Sequence, residues 1–230
     1  LARRVSHVYL GLPEARALLK PGPATEIFET GNPIVPPDPE RRTAALRRFG
    51  LDETRRVILV TGGSQGALAI NRAVATWLRS GGRGAAALIW VTGRGTHAEF
   101  AGFHAPPDVH VIDFLDPMAD AYAVADVVVS RAGMITVAEV CAWGLPSILV
   151  PLPTAAADHQ THNARAMAEA GAARLLPQAD MVRDGIGGAI RSLLEDPVAR
   201  EAMAARARAR GRPEAASEIV SLLLTLVGRT

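Results

Sequence analysis

The chain has 230 residues, of which 49% are hydrophobic and 21% charged, and a formal net charge of +2. This composition is typical of one large globular domain, or of one domain and part of another, and it excludes an intrinsically disordered chain. The near-zero charge and the 4% aromatic content argue against a dedicated nucleic-acid-binding protein. The single cysteine, Cys141, excludes a disulfide framework and a cysteine-based zinc site. No apolar run reaches about 18 residues, so no membrane span is predicted.

Residues 1–33 differ in pattern from the rest of the chain. Val5–Leu10 and Glu26–Thr30 are predicted to be strands, with no helix between them long enough to cover them. Gly31–Pro39 then contains four prolines in nine residues, which is typical of a semi-rigid linker. Because this segment and linker precede the regular pattern, we expect the tail of one domain, a hinge, and a complete domain from about Arg55. The initial leucine, in place of methionine, is in keeping with a fragment.

After the linker, short apolar runs alternate with alanine-rich helical segments. The runs predicted to be strands are Val57–Thr61, Ala87–Val91, Val109–Asp113, Asp126–Ser130, Pro146–Val150 and Ala173–Leu176. Helices are predicted at 67–79, 96–102, 117–124, 136–143, 158–170, 181–194, 197–210 and 213–226. Because the strands are continuously apolar and alternate with helices, the sequence predicts an α/β fold with a Rossmann-like, doubly wound parallel sheet.

A glycine-rich turn follows the first of these strands, in Thr61-Gly-Gly-Ser-Gln-Gly-Ala67. The glycines allow a tight turn, and the new helix directs free N–H groups and its positive dipole end at the space above. This pattern favours phosphate binding, although a Walker loop is excluded because no Gly-Lys-Ser/Thr occurs. The residues concerned are Gly63, Ser64, Gln65 and Gly66. A tight turn without a ligand is the plainer alternative.

The same turn also spells Gly-x-Ser-x-Gly between a strand and a helix. This is the nucleophile-elbow pattern of α/β hydrolases. In that fold the triad follows the chain order serine, acid, histidine. Ser64, then Asp113 or Asp126, then His159 match this order. A serine hydrolase is therefore an alternative function, although five-residue matches are common by chance.

A second turn of this kind lies in Ser130-Arg-Ala-Gly-Met-Ile-Thr-Val-Ala-Glu139, where Gly133 permits a sharp bend. The free N–H groups that predict a second anion site are those of Met134, Ile135 and Thr136. Glu139 follows about one helical turn later, and a carboxylate there can accept two hydrogen bonds from a ribose diol. The plainer alternative is that Glu139 is a solvated residue or one that interacts with the helix charge.

A polar loop and helix start follow the fifth predicted strand. Asp158 is predicted to cap this helix, and Gln160 and Asn163 suit sugar hydroxyls. His159 and His162 could bind a metal, but no cysteine supports them and the chain lacks an Asp-x-Asp motif. We expect all three polar segments at the carboxyl edge of the sheet, where open α/β sheets bind ligands.

In combination, these segments resemble the C-terminal half of the MurG family, bacterial glycosyltransferases that add N-acetylglucosamine to lipid I in peptidoglycan synthesis. The stretches that carry the resemblance are Gly62–Ala67, Ser130–Glu139, and Gly144–Pro153 running into Asp158–Ala164. Gly31-Asn-Pro33 is similar to the family's interdomain joint. The resemblance covers nearly the whole chain. It implies the GT-B architecture, in which two Rossmann-like domains face a cleft.

The resemblance implies that this chain binds the donor, UDP-N-acetylglucosamine, without a metal or other cofactor. The backbone near Phe114 and Leu115 would recognise the uracil, and Glu139 would hold the ribose hydroxyls. The helix start at 134–136 would hold phosphate, and Gln160 would bind the sugar. The implied donor-binding set also contains Gly63, Ser64, Gln65, Gly66, Arg131, Gly133, Asp158 and Asn163.

One departure from the family concerns the diphosphate. Ser64 and Gln65 would contact it, as the resemblance implies. The family usually has an arginine two residues after the Gly-Asn-Pro joint, where this chain has Val35. The diphosphate charge would then be balanced by helix dipoles or by another arginine, either Arg131 or Arg94.

A second departure concerns the catalytic base, because the family's base histidine and a glycine-rich loop belong to its N-terminal domain and are absent here. We therefore expect no catalytic residue in this chain and an inverting reaction completed by the missing domain.

The predicted divisions are an acceptor-domain remnant (1–33), a linker and helix (34–54), a UDP-sugar-binding domain (55–212) and a docking helix (213–230). Lipid I would bind through the missing domain, with the protein cytoplasmic and peripheral on the inner membrane face. A non-catalytic UDP-sugar-binding subunit of a split transferase is the other alternative.

Overall fold

A computed structural model describes residues 2–63, 65–181 and 185–228. Within these residues, two parallel strands form a small sheet and six parallel strands form a large one. The small sheet contains β1 (His7–Tyr9) and β2 (Glu26–Phe28). The large sheet contains β3 (Val57–Thr61), β4 (Ala87–Val91), β5 (Val109–Ile112), β6 (Val127–Ser130), β7 (Ser147–Leu149) and β8 (Arg174–Leu175).

Helices connect the strands of the large sheet and follow it. The α-helices of the described residues are α1 (Arg41–Phe49), α2 (Leu68–Arg79), α3 (His97–Phe100), α4 (Ala119–Val124), α5 (Met134–Trp143), α6 (His159–Glu169), α7 (Gly185–Glu195), α8 (Pro197–Arg210) and α9 (Ala215–Val227). Local signals define several ends. α8 begins after Asp196, whose side chain accepts a hydrogen bond from the Ala199 N–H, and α5 ends at a left-handed Gly144.

The strand order in the large sheet is β5-β4-β3-β6-β7-β8. Within the large sheet, the chain first forms the central strand β3 and continues through β4 to the edge strand β5. It then crosses back to β6, beside β3, and continues through β7 to the other edge strand, β8. This is the doubly wound order of a Rossmann-like fold, so the predicted fold class is confirmed. The order reverses between β3 and β6, where Thr61 pairs with Ser130. The carboxyl ends of these two strands border the crevice in which such sheets bind ligands.

Helices cover both faces of the large sheet, so every residue of β3 and β4 is buried. One face packs against α2 and α7, and the other against α1, α4 and α5. The predicted strands of the large sheet are confirmed, with β3 and β4 matching residue for residue and the others one residue shorter at one or both ends. The two strands predicted in residues 1–33 are also present, but β1 starts and β2 ends two residues inside the predicted bounds. The helix predicted at 136–143 begins two residues earlier, because Met134 already continues the turn at Gly133.

The N-terminal segment packs against the Rossmann-like domain through apolar and ionic contacts. Leu12 is buried in a cluster with Val137 and Cys141 of α5. Glu14 accepts hydrogen bonds at 2.7 and 2.8 Å from Arg210 of α8. The boundaries that divide the chain into four parts stay predictions. α1, which falls in the predicted linker and helix, packs Phe49 into the core of the large sheet.

The last helix, α9, exposes much of its apolar surface. Val220, Leu223 and Leu224 are exposed, whereas Ala215 near the start of the helix is buried. The predicted docking face of this helix is therefore not covered by the described part of the chain. None of the helices described is both long and apolar enough to cross a membrane.

A buried asparagine connects α2 to the neighbouring strand. The Asn71 side chain accepts a hydrogen bond from the Trp90 indole N–H at 2.9 Å. Its amide nitrogen donates to the Thr92 carbonyl at 2.8 Å and to the Thr96 hydroxyl at 3.0 Å. Both hydrogen-bonding ends of this amide are thus satisfied, which fixes the start of α2 against the turn after β4.

Replacing Asn71 with leucine should destabilise the fold, because the Trp90 indole N–H would stay buried without a partner. We expect Asn71→Leu to lower the free energy of unfolding by about 2–4 kcal/mol, measured by urea denaturation. Thr76→Ala, at an exposed position of the same helix, should change it by less than about 0.5 kcal/mol. Equal effects of the two substitutions would contradict this account.

Candidate functional site

Two adjoining clefts lie at the carboxyl edge of the large sheet. The first, of about 710 Å³, is lined by the β3–α2 turn, the β6–α5 turn and the loop after β7. The second, of about 610 Å³, is lined by the β6–α5 turn, α5 and the loop after β5. Gly63, Gly133 and Thr136 line both. The clefts therefore meet at the point where the strand order reverses.

The β3–α2 turn approaches its neighbour closely because both turns contain glycine. Gly66 has φ of +74°, and a Cβ there would lie 2.2 Å from the carbonyl oxygen of Thr92. Gly93, just after β4, has φ of +84°, and its Cβ would lie 2.5 Å from the Gly66 Cα. A side chain at either position would force the turns apart. The glycine-rich motif therefore sets the shape of the first cleft.

The helices that begin at these turns, α2 and α5, have no side-chain cap. Their cap residues are Ala67 and Gly133, and neither has a side-chain oxygen that could accept from the first backbone N–H groups of the helix. Those N–H groups are left for solvent or a ligand. Together with the positive ends of the helix dipoles, they form an anion-binding surface.

Arg131 adds a buried positive charge beneath the first cleft. Its guanidinium donates hydrogen bonds to the carbonyl oxygens of Val150 and Pro151, at 3.2 and 3.0 Å, and to Oε1 of Gln178 at 2.7 Å. All three acceptors are neutral, so no carboxylate among the described residues balances this charge. Burial lowers the pKa of Arg131 from its ordinary value, but an arginine side chain stays protonated. An anionic ligand in the first cleft would supply the missing negative charge.

The loop between β7 and α6 forms the outer wall of the first cleft. Oε1 of Gln160 accepts a hydrogen bond from the Leu152 N–H at 3.0 Å, and both residues line the cleft. This bond orients the amide of Gln160 and leaves its nitrogen as a donor toward the cleft.

Asp158 and Asn163, which were both predicted to bind the donor, line neither cleft. The buried amide of Asn163 donates to the Ala132 carbonyl at 3.0 Å, so this residue holds the β6–α5 turn. Asp158 is exposed and accepts from the Thr161 hydroxyl at 2.6 Å. It makes no capping hydrogen bond to the backbone of α6, contrary to the prediction, because its backbone is left-handed (φ of 52°) rather than extended as a capping residue requires.

The second cleft contains a carboxylate whose position is fixed. Glu139 lines it, and Oε2 accepts a hydrogen bond from the Tyr122 hydroxyl at 2.9 Å. Burial raises the pKa of Glu139 above its ordinary value, and the hydrogen bond from Tyr122 acts in the opposite direction. The oxygen that Tyr122 does not hold is available to accept from the hydroxyls of a ligand.

An apolar platform borders the same cleft. Leu115 is buried, whereas Phe114 is exposed at the rim. The guanidinium of Arg94 lies 4.5 Å from the centre of the Phe114 ring, which is a cation–π contact. Of the two arginines considered for the diphosphate, Arg131 therefore lines the first cleft and Arg94 covers the rim of the second.

Most of the predicted site residues come together in these clefts. Those that line at least one cleft are Gly63, Gln65, Gly66, Phe114, Leu115, Arg131, Gly133, Met134, Ile135, Thr136, Glu139 and Gln160. Ser64 lies outside the described residues. Arg72 and Gln178 line the first cleft but were not predicted. Arg72 follows the start of α2 by about one turn, so helical spacing could have identified it, whereas no motif marks Gln178.

A serine hydrolase receives no support from this arrangement. Asp126 lies at the opposite edge of the sheet, where it accepts hydrogen bonds from Arg56 and from the Val57 N–H at 2.7 and 2.8 Å. His159 interacts through Nδ1 with the Ala156 carbonyl at 2.8 Å rather than with a carboxylate. Across the described ranges, no group of three or more His, Cys, Asp or Glu side chains could hold a metal ion.

Curated relatives are similar in sequence over nearly the whole of this chain. A relative from Chlorobaculum parvum is 38% identical over 229 residues, covering 98% of this chain and 62% of that protein. A relative from Solidesulfovibrio magneticus is 41% identical over 238 residues, covering 98% and 62%. Both are named UDP-N-acetylglucosamine–N-acetylmuramyl-(pentapeptide) pyrophosphoryl-undecaprenol N-acetylglucosamine transferase.

A solved structure and a family model give the same result. The crystal structure of Acinetobacter baumannii MurG is similar with a TM-score of 0.72 and 26% identity, covering 97% of this chain and 61% of that one. The chain thus spans about three fifths of the length of the relatives that it matches. The model of the glycosyltransferase family 28 C-terminal domain matches residues 57–219. Because this match covers more than half of the sequence, the chain belongs to the glycosyltransferase family 28 C-terminal domain family.

Proposed function

We propose that this chain is the donor-binding part of an inverting transferase that moves N-acetylglucosamine from UDP-N-acetylglucosamine to lipid I. Lipid I is undecaprenyl-diphospho-muramoyl-pentapeptide, and the product is lipid II. The observation that carries the proposal is the position of the Glu139 carboxylate, between an apolar platform and an anion-binding surface. The names of the curated relatives support the identity of donor and acceptor.

The second cleft suits the nucleoside of the donor. A uracil ring would lie against Phe114 and Leu115, where the backbone supplies hydrogen-bonding groups for its edge. Glu139 lies in the same cleft and would accept hydrogen bonds from the ribose hydroxyls. Phe114 and Leu115 thus provide an apolar surface for the base, and Glu139 provides a charged acceptor for the ribose hydroxyls.

The first cleft suits the diphosphate and the sugar. The uncapped helix starts after Ala67 and Gly133, together with the buried guanidinium of Arg131, would balance the diphosphate charge. Donor binding would then need no metal ion. Gln65 lines this cleft and would contact the diphosphate, and Gln160 at the outer wall would donate to a sugar hydroxyl.

In the proposed reaction, the acceptor's C4 hydroxyl attacks the anomeric carbon as a base from outside this chain removes its proton. The bond from that carbon to the diphosphate oxygen breaks, and UDP departs with the electron pair. The free N–H groups of the helix starts would stabilise the negative charge that develops on this leaving group. Because the acceptor is a lipid, we place the whole protein in the cytoplasm, peripheral on the inner membrane face. There it would serve peptidoglycan synthesis, and with it cell shape and division.

Binding of UDP and UDP-N-acetylglucosamine tests the proposal directly. Glu139→Gln should weaken UDP binding by about tenfold or more, because a neutral amide accepts hydrogen bonds less strongly than a carboxylate. Isothermal titration calorimetry measures the affinities. Glu218→Gln, at an exposed position of α9, is the matched control and should leave them unchanged. A folded sample that binds neither ligand at millimolar concentration would refute the proposal.

Arg131→Met should separate phosphate binding from nucleoside binding. The substitution keeps an apolar stem and removes the charge beneath the first cleft. We expect UDP affinity to fall by about tenfold or more and UMP affinity by clearly less, since UMP lacks the second phosphate. The UDP to UMP affinity ratio, measured by calorimetry, corrects for any general loosening of the site. An unchanged ratio would show that Arg131 does not balance the diphosphate.

A further inference from the structure

The buried Tyr122 lines neither cleft, and its hydroxyl donates a hydrogen bond to Glu139, whose carboxylate lines the second cleft. We propose that Tyr122 is a positioning residue that holds Glu139 in the orientation required to bind the hydroxyls of a ribose. The inference rests on the proposed function of this site as a nucleotide site. It adds a residue that no motif in the sequence marks.

The contacts of Tyr122 make it a fixed support. Its side chain is 4% exposed, and its hydroxyl donates to Oε2 of Glu139 at 2.9 Å. Its ring lies against the ring of Trp143, with centroids 6.3 Å apart. Tyr122 belongs to α4, whereas Glu139 and Trp143 belong to α5. The ring therefore packs on the same helix whose carboxylate the hydroxyl holds.

A glutamate side chain has three rotatable bonds, so a carboxylate without a partner would sample several orientations. The hydrogen bond from Tyr122 restricts Oε2 and leaves Oε1 for the cleft. Burial and the adjacent carboxylate raise the pKa of Tyr122 well above its usual range, so the hydroxyl stays a donor at working pH. The pairing thus reduces the conformational entropy that Glu139 loses when a diol binds.

Charged groups lie on two sides of this pair. A separate pocket that Tyr122 lines also contains Arg42, Arg56, Asp126, Arg200, Glu201 and Arg208. Asp116 lines the same cleft as Glu139, and Arg94 lies over Phe114 at its rim. Burial raises the pKa of Glu139 and the hydrogen bond from Tyr122 lowers it. Loss of the Tyr122 hydroxyl should therefore raise the pKa of Glu139 further.

The test compares UDP with 2′-deoxy-UDP, which differ by one ribose hydroxyl. In the unmodified chain we expect UDP to bind about tenfold or more tightly than 2′-deoxy-UDP, because a hydrogen bond to a charged group is lost. In Tyr122→Phe, this ratio should fall to within about threefold of one. The affinity for 2′-deoxy-UDP should fall less than the affinity for UDP, because only one ribose hydroxyl of 2′-deoxy-UDP can bind Glu139. Tyr9→Phe, which removes the hydroxyl that contacts His7 on β1, should leave the ratio unchanged.

The pH dependence of the same ratio distinguishes positioning from a general structural role. Titration of the phosphates is common to both ligands and cancels. The ratio should fall toward one as the pH drops through the raised pKa of Glu139, because a protonated carboxyl has lost its charge. In Tyr122→Phe, any remaining discrimination should disappear at a higher pH than in the unmodified chain. A residue that only supports the fold would weaken both ligands equally and leave this pH unchanged.

A second measurement applies if Tyr122→Phe does not fold. The chain contains two tyrosines, so 3-fluorotyrosine incorporated into Tyr9→Phe labels Tyr122 alone. The more acidic phenol donates a stronger hydrogen bond, and the pH at which discrimination is lost should move downward. An unchanged pH would overturn the inference.

The outcomes separate this inference from the proposed function. Absence of UDP binding by the unmodified chain would overturn both. UDP binding with strong discrimination that Tyr122→Phe leaves intact would overturn the role of Tyr122 alone. In Glu139→Gln, adding Tyr122→Phe should have no further effect on the ratio, because the carboxylate that the hydroxyl positions is already gone.

Discussion

The pairing of β3 with β6 at the centre of the large sheet is the constraint on which the site depends. Because the strand order reverses there, the chain leaves the two strands toward opposite faces, and α2 and α5 begin at a common crevice. Two uncapped helix starts thus lie side by side without a contribution from side-chain chemistry. The polar side chains of the loops after β5 and β7 then complete the two clefts.

This arrangement explains how a chain with a net charge of +2 can be suited to a diphosphate. A surface patch of lysine and arginine would attract anions of any shape, whereas backbone N–H groups at a helix start have fixed directions. Arg131 adds one charge from below. Its hydrogen bonds to the Val150 and Pro151 carbonyls hold the start of the loop whose Leu152 N–H donates to Gln160 of α6. Charge and shape of the first cleft are therefore set together by the same contacts.

Several parts of this organisation were predictable because their causes are local. The apolar runs of β3 and β4 and the start of α8 at Pro197 depend on neighbouring residues only, and all were located from the sequence. The same holds for the glycine turns, since the need for positive φ and close approach at Gly66 is visible in the motif. The predicted roles of Asp158 and Asn163 depended on side-chain direction, and in the structure both side chains bond to other protein groups and neither lines a cleft.

The sequence alone therefore determined the fold class, the order of strands and helices, and the three segments that form the clefts. Only the tertiary structure decided that Gln178 meets Arg131, that Arg94 covers Phe114, and that Tyr122 holds Glu139. Those contacts join residues 17 or more positions apart in the chain. Which residues meet in these contacts depends on how the helices pack on a sheet whose strand order differs from the order in sequence. A local sequence pattern cannot predict that packing.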